Sequence, residues 1–418
     1  MTDGPGTGRG ESASADVRPA PPSTPPPPQP AGRALVAMMA FATGAVIANL
    51  YYAQPLVDRL AEVFESGSGA VGLVITVTQI GYAIGLATLV PLGDLVERRR
   101  LLAVLLGAAT LGMAAMAAAP SLAILGAAAA IVGLTSVAVQ VIVPFAHVLA
   151  ADGRQGQVVA TVMSGLLLGI LLSRTVAGVV AELFGWRAVF VLGALLSAAI
   201  AVVLWRTLPT VVPTTRLGYP ALLMSVVRLV REEPVLRLRI VYGALTFSTF
   251  SVFWTSAGFL LAERPYDWNN AEIGAFALFG VMGALAAKFA GRLADRGWAT
   301  WTTGFFVLIT ALSYVLIGAG ATSLAALVIG VVLMDMGVQG THINNQNLIF
   351  ALRPEARSRL NTAYMVAYFL SASVGSALSA YVYAAHGWIG VSVLGAAFPA
   401  VACAVWLAEI SLGRRRAA

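Results

Sequence analysis

Apolar runs of about twenty residues, parted by short loops that carry arginine, recur from Ala34 to Leu412. A helix needs about 20 residues, at about 1.5 Å each, to cross about 30 Å of hydrocarbon. The runs therefore predict spans at roughly 34–57, 70–92, 100–119, 121–150, 157–183 and 186–206. A second set follows at roughly 237–262, 271–291, 299–319, 323–351, 358–384 and 387–410. No backbone N–H or C=O can face lipid unpaired, and the two-residue alternation of a barrel strand is absent, so helix is the form expected. The expected fold class is an all-α membrane protein with twelve transmembrane helices in two pseudo-symmetric six-helix bundles.

The pseudo-symmetry is written in the residues. GWRAVFVLGA at 185–194 returns as GWIGVSVLGA at 387–396, displaced by 202 positions. GDLVERR at 93–99 returns as GRLADRG at 291–297, displaced by 198. A membrane chain made of two copies of one helical half points to a secondary transporter, with its substrate site at the repeat interface. The bundles are expected at 33–208 and 237–412, with a basic tail at 413–418. Residues 1–32 are rich in Pro, Gly and Ser and are expected to form a disordered tail. The connection at 209–236 starts with Pro-broken chain and then turns amphipathic from Leu222 to Arg231, which predicts a helix lying on the membrane surface.

Composition agrees: 59% of the 418 residues are hydrophobic and 11% charged. The net charge of +7 does not signal nucleic acid, because its distribution is topogenic. Of 26 Lys and Arg, all but Arg59, Arg187, Arg264, Arg174 and Lys288 fall on one side of the membrane. Lys and Arg gather on the cytoplasmic side, so both termini are expected there, in a multi-pass protein of a bacterial inner membrane. Lys288, the sole lysine, sits where it can snorkel to the interface. Cys403 is the sole cysteine and has no partner for an internal disulfide. No metal-ligand spacing, nucleophile elbow or phosphate loop occurs, so no cofactor, metal or enzymatic activity is expected.

Two six-helix halves, a long central loop and a repeated G-x-L-x-[DE]-R after the second span of each half together resemble the major facilitator superfamily. In the first copy Gly93, Leu95, Glu97 and Arg98 match; in the second, Gly291, Leu293, Asp295 and Arg296. The resemblance implies a latch for one gate state at Gly93, Glu97, Arg98, Gly291, Asp295 and Arg296. A plain topogenic loop is the other reading. The segment 49–56, NLYYAQPL, resembles a bacterial branch of presumed exporters and implies efflux. The fifth span reads GLLLGILLSR at 165–174, where proton-coupled drug antiporters carry G-x-x-x-G-P-x-x-G-G, and the fourth span has no arginine. Uptake by symport therefore stays open beside efflux by antiport.

Spans 5 and 11 carry small residues every fourth position: Gly165, Gly169, Ser173 and Ala177, and, 202 positions on, Ala367, Ser371, Gly375 and Ser379. Such ladders let helix backbones approach closely in lipid. They are read either as sliding seams or as static packing. Span 10 puts Asp335, Gln339, His342 and Gln346 on one stripe, echoed 199 positions earlier by Ser136, Gln140, Val143 and His147. A polar stripe on lipid is costly, so it is expected to face an internal cavity. The resemblance implies that spans 1, 4, 7 and 10 line that cavity, which adds Asn49, Tyr52 and Trp254.

Asp335 lies about 18 Å and Arg174 about 14 Å from the outer ends of their helices, at 1.5 Å per residue. An isolated charge at such depth costs about 2.5–3.5 kcal/mol, which pairing or proton uptake relieves. Asp335 and Arg174 are therefore the candidates for proton coupling, with a structural ion pair as the alternative. The expected partners are a small organic substrate or drug, protons and the lipid bilayer, with no nucleic acid and a monomer as the working unit. A non-transporting sensor or scaffold is the rival from another class.

Overall fold

The computed structural model describes residues 1–2, 4, 32–151, 154–211, 218–280, 299–353 and 356–417. The Pro-rich tail, apart from residues 1–2, 4 and 32, and the segment 281–298 with Lys288, Gly291, Asp295 and Arg296 lie outside the described residues. Among those described, every regular element is a helix.

The first span is broken. α1 (Arg33–Ala48) ends in a turn, a short 3-10 helix covers Gln54–Leu56, and α2 (Val57–Val63) completes it. Pro55 has no N–H to give a helix interior, so the chain re-forms around it and runs past the expected end at Val57. α3 is Ser68–Thr88 and α4 is Arg98–Ala117. The fourth span divides into α5 (Leu122–Thr135) and α6 (Ala138–Val148). The break falls where the Thr135 and Ser136 hydroxyls donate back to the carbonyls of Ile131 and Val132, a bond that bends helices. α7 is Gln155–Phe184, α8 is Trp186–Thr207 and the amphipathic α9 is Tyr219–Glu232.

The second half repeats the plan. α10 is Pro234–Ala262, α11 is Asn270–Phe276, α12 is Ala299–Ala319 and α13 is Leu324–Leu352. α14 runs over Arg357–Ala417 and turns at Gly387, where φ is 61°. Gly185, between α7 and α8, has φ of 84°. These two glycines open the repeated ten-residue motif. A left-handed backbone is cheap only for glycine, which is why the echo begins there. The tryptophan after each glycine is buried. Nine helical stretches among the described residues are long and apolar enough to cross a membrane, and the last, Arg357–Ser411, includes the turn.

Within each half, one seam is made by backbone contact. A Cβ on Gly165 would strike Ala40, and one on Gly169 would strike Gly44, so α7 lies directly on α1. In the second half a Cβ on Gly375 would strike Ser248, so α14 lies on α10 in the matching place. The Ser248 hydroxyl donates to Ser371 O at 2.8 Å and Ser379 donates to Val252 O at 2.6 Å. Ala177 is fully buried, Ser173 nearly so, and Ala367 lies on the same helix as Ser371. The small-residue ladders thus pack helices inside each half. Backbone contact this close supports the static-packing reading of the ladders.

The halves meet elsewhere, in the part of the bundle away from the termini. Thr76 of α3 donates to Ser376 of α14 at 3.1 Å, and Thr255 of α10 joins the same hydroxyl at 3.0 Å. Gln79 donates to Ser251 at 3.1 Å. Thr175 of α7 donates to Gly274 O of α11 at 2.9 Å, and Gly178 lies against the Asn270 backbone. On the side of the termini, α9 ties the halves. Tyr219 donates to Thr88 O at 2.8 Å, while Glu232 and Glu233 hold Arg353 at 3.1 and 2.7 Å.

Candidate functional site

Because the halves touch on one side, they part on the other. A cavity of about 280 Å³ opens between them on the side of the termini. α6 lines it with Gln140, Val143, Pro144 and His147, and α3 adds Leu86 and Val90. The facing wall is the start of α14, with Arg357, Ser358, Asn361, Thr362 and Met365. Gln140 donates to Tyr82 OH at 3.3 Å, which fixes its amide at the cavity wall.

An aromatic layer closes the cavity toward the other side. Tyr82 lies 4.3 Å from Phe369 across the two halves, and Phe247 stacks on Tyr368 at 3.7 Å. His342 lies 4.8 Å from Tyr368 and shares a 3.2 Å hydrogen bond between its Nδ1 and Tyr364 OH. Such rings pack as a dense apolar plug.

Beyond the layer lies Arg174, 3% exposed. Its Nε donates to Gln54 Oε1 at 2.7 Å. Its guanidinium sits 4.4 Å from the Trp254 ring and 4.7 Å from the Tyr51 ring. Aromatic faces attract a desolvated cation, so the rings take the place of a counter-ion. Asp335, 5% exposed, reaches toward the same region from α13, and its Oδ2 lies against Gly280. Among the described residues, Asp335 Oδ1 and Arg174 Nη2 have no hydrogen-bond partner, and the Trp254 indole N–H faces the Asp335 carboxylate. The two charges do not form an ion pair within 4.0 Å. The structural ion pair, the alternative reading of Arg174 and Asp335, is not formed in this conformation, where aromatic rings and Gln54 hold the arginine.

The other candidates divide. Trp254 stands at the centre of this group. Gln339 is half-buried between Asp335 and His342 on α13, and Gln346 donates to Asn361 at 3.3 Å beside the cavity. Asn49 and Tyr52 are placed differently from expectation. Asn49 donates to Ser197 of α8 at 3.2 Å, and Tyr52 packs beside Gly193 of α8 and Met113 of α4. The break after Ala48 turns both into the first half, and it is Tyr51 that faces the centre. The α14 wall was missed. Its signal was legible, since Ser358, Asn361, Thr362 and Met365 follow the i, i+3, i+4, i+7 spacing of one helix face.

At the loop after α3, Arg98 donates to Gly93 O at 3.0 Å and pairs with Asp94 at 3.2 Å. Its acid is therefore Asp94 and not Glu97, whose Oε1 is buried without a partner among the described residues. Gly93 rests on Val141 of α6. The second copy of this motif lies outside the described residues. Arg239, counted among the arginines of one side of the membrane, is 3% exposed within α10. It pairs with Glu409 at 2.5 Å and donates to Thr303 at 3.0 Å. Tyr242 also donates to Glu409, at 2.7 Å, so one carboxylate staples α14 to α10. A single isolated Glu in an apolar run gave little notice of that.

The model of the Major Facilitator Superfamily matches residues 34–349 and 243–417. The uncharacterized transporter YgaY of Escherichia coli O157:H7 is 45% identical over 373 residues, covering 89% of this chain and 95% of its own. The probable transporter SCO4007 of Streptomyces coelicolor is 34% identical, covering 88% and 86%. Among solved structures, a bacterial homolog of the human lysosomal transporter Spinster, in an inward-facing and occupied conformation, superposes with a TM-score of 0.74 at 12% identity, covering 90% of this chain and 96% of that one. A nucleoside transporter, NupG, superposes with 0.71 at 12%, covering 89% and 99%. Two helical halves, a cavity between them and these matches agree: the chain is a multi-pass membrane transporter, not an enzyme, and it belongs to the Major Facilitator Superfamily.

Proposed function

We propose that this transporter couples the passage of a small organic molecule to protons through Asp335, and that it works as an exporter in a bacterial inner membrane. The observation that carries the reading is an acid, 5% exposed, with one oxygen unpartnered among the described residues, set between the halves near a similarly buried arginine. A charge in that position is costly, so its proton occupancy is tied to what surrounds it. Opening the aromatic layer changes those surroundings, because Arg174 and Trp254 belong to different halves. Gln140, Trp254, Gln339, His342 and Gln346 line or back the substrate's path, and the loop at Gly93 and Arg98 steadies one gate state.

Asp335→Asn is the test, in proteoliposomes with a substrate found by a metabolite and growth-inhibition screen of a deletion strain. The variant is expected to keep exchange between loaded substrate pools and to lose accumulation driven by a pH gradient alone. If it still concentrates substrate on the gradient, Asp335 is structural. Everted vesicles decide direction: export fills them with substrate when their lumen is acid, and uptake by symport does not.

A further inference from the structure

The cavity carries formal charge of one sign. Among the described residues that line it, Arg357 is the only one with a fixed charge, and none is an acid. Among the described residues, three acids on this side of the bundle are held by arginines. Asp94 is held by Arg98, and Glu232 and Glu233 are held by Arg353. Glu97 is half-buried beside three consecutive arginines, Arg98, Arg99 and Arg100. Arg357 is anchored by its Nε, which donates to Phe350 O at 3.1 Å. Arg357 is exposed at the cavity, and a guanidinium's N–H fork matches a carboxylate. Opposite stand Gln140 and His147, and beside it Asn361, all polar and uncharged or basic. The rest of the wall is apolar: Leu86, Val90, Val143 and Met365. A second cation lies past the aromatic layer, where Arg174 is buried with Nη2 unpartnered among the described residues.

We propose that the cavity takes an organic anion, a small molecule with one carboxylate and an apolar body, docked at Arg357 with the body against Val143 and Met365. This rests on the transporter reading above and names the substrate class for it. A low-dielectric cleft of one sign raises the local concentration of the opposite ion by about 10- to 1,000-fold. The volume of about 280 Å³ is at the lower bound of small-molecule sites, which suits a compact ligand.

The test reads the sign of the cavity before any substrate is known. In a Cys403→Ser background, Val143→Cys places a thiol on the wall. Its reaction rates with an anionic sulfonatoethyl and a cationic trimethylammonioethyl methanethiosulfonate are each normalised to free cysteine. The anionic-to-cationic ratio is expected to exceed that of free cysteine by roughly tenfold. Arg357→Gln should bring it most of the way back. In parallel, benzoate is expected to raise the thermal midpoint of the purified protein, while benzamide, its neutral counterpart, does not. A ratio at or below that of free cysteine, a ratio indifferent to Arg357→Gln, or benzoate no better than benzamide overturns the proposal. If the cavity draws the anionic reagent while Asp335→Asn still accumulates substrate on a pH gradient, proton coupling falls and the anion site stands.

Discussion

Gly169 and Gly107 are both glycines in apolar helices, yet their surroundings differ completely. A Cβ at Gly107 meets nothing within 4 Å, whereas one at Gly169 would run into the backbone of Gly44. Backbone cannot rotate away as a side chain can, so the added methyl must push two helices apart. Overpacking of this kind costs about 1–3 kcal/mol. Gly169→Ala is therefore expected to lower the thermal midpoint of the purified protein by several degrees, while Gly107→Ala leaves it unchanged or raised through better helix propensity. Equal effects would show that α1 and α7 are not in backbone contact. The small-residue ladder was visible in the sequence, but its partner helix was not. Periodicity tells which face is small and says nothing of what lies opposite.

At the scale of elements, the two halves hold together by neutral hydrogen bonds where one side is closed. Thr76 with Ser376 and Gln79 with Ser251 cross the boundary, and neither pair carries charge. Each bond contributes about 0.5–1.5 kcal/mol. Losing both tilts the balance toward opening on that side by on the order of tenfold. Gln79→Leu with Ser376→Ala should raise the labelling rate of a thiol at Val57→Cys, which packs against Gly258 in the closed arrangement. An unchanged rate would mean that the helix-packing glycines alone keep that side shut. These residues were not legible as a group, because they are single hydroxyls and amides on three helices far apart in the chain. The break in the first span was also hidden. Pro55 was plain to see, but the rotation it allows, which replaced Tyr52 with Tyr51 at the centre, depends on how α1 and α2 each pack.

For the whole molecule, the arginine bias predicts that both termini face the cytoplasm. Reporter fusions after Arg100 and after Arg359 should read cytoplasmic, and a fusion near Arg264 should read periplasmic. A periplasmic signal after Arg100 would invert the topology. With that orientation the cavity opens inward. Rocking the halves about the aromatic layer would close the α9 side and part the bonds at Thr76 and Gln79. α9 must follow, since Tyr219 holds one half and Glu232 and Glu233 the other.

What the sequence determined by itself is what lipid imposes residue by residue. Hydrophobic length places spans, and a doubled motif declares two halves. Gly185 and Gly387 show this best, since a backbone that only glycine adopts cheaply leaves its mark on the chain directly. Tertiary structure alone decided which charges meet. Arg174 lies on Trp254 and Tyr51 instead of pairing with Asp335, Arg239 is buried against Glu409, and Arg98 takes Asp94 over Glu97. A charge in an apolar helix announces that it needs a partner. It does not say which one, because that depends on rotamers and helix rotation set by the packing of every other helix.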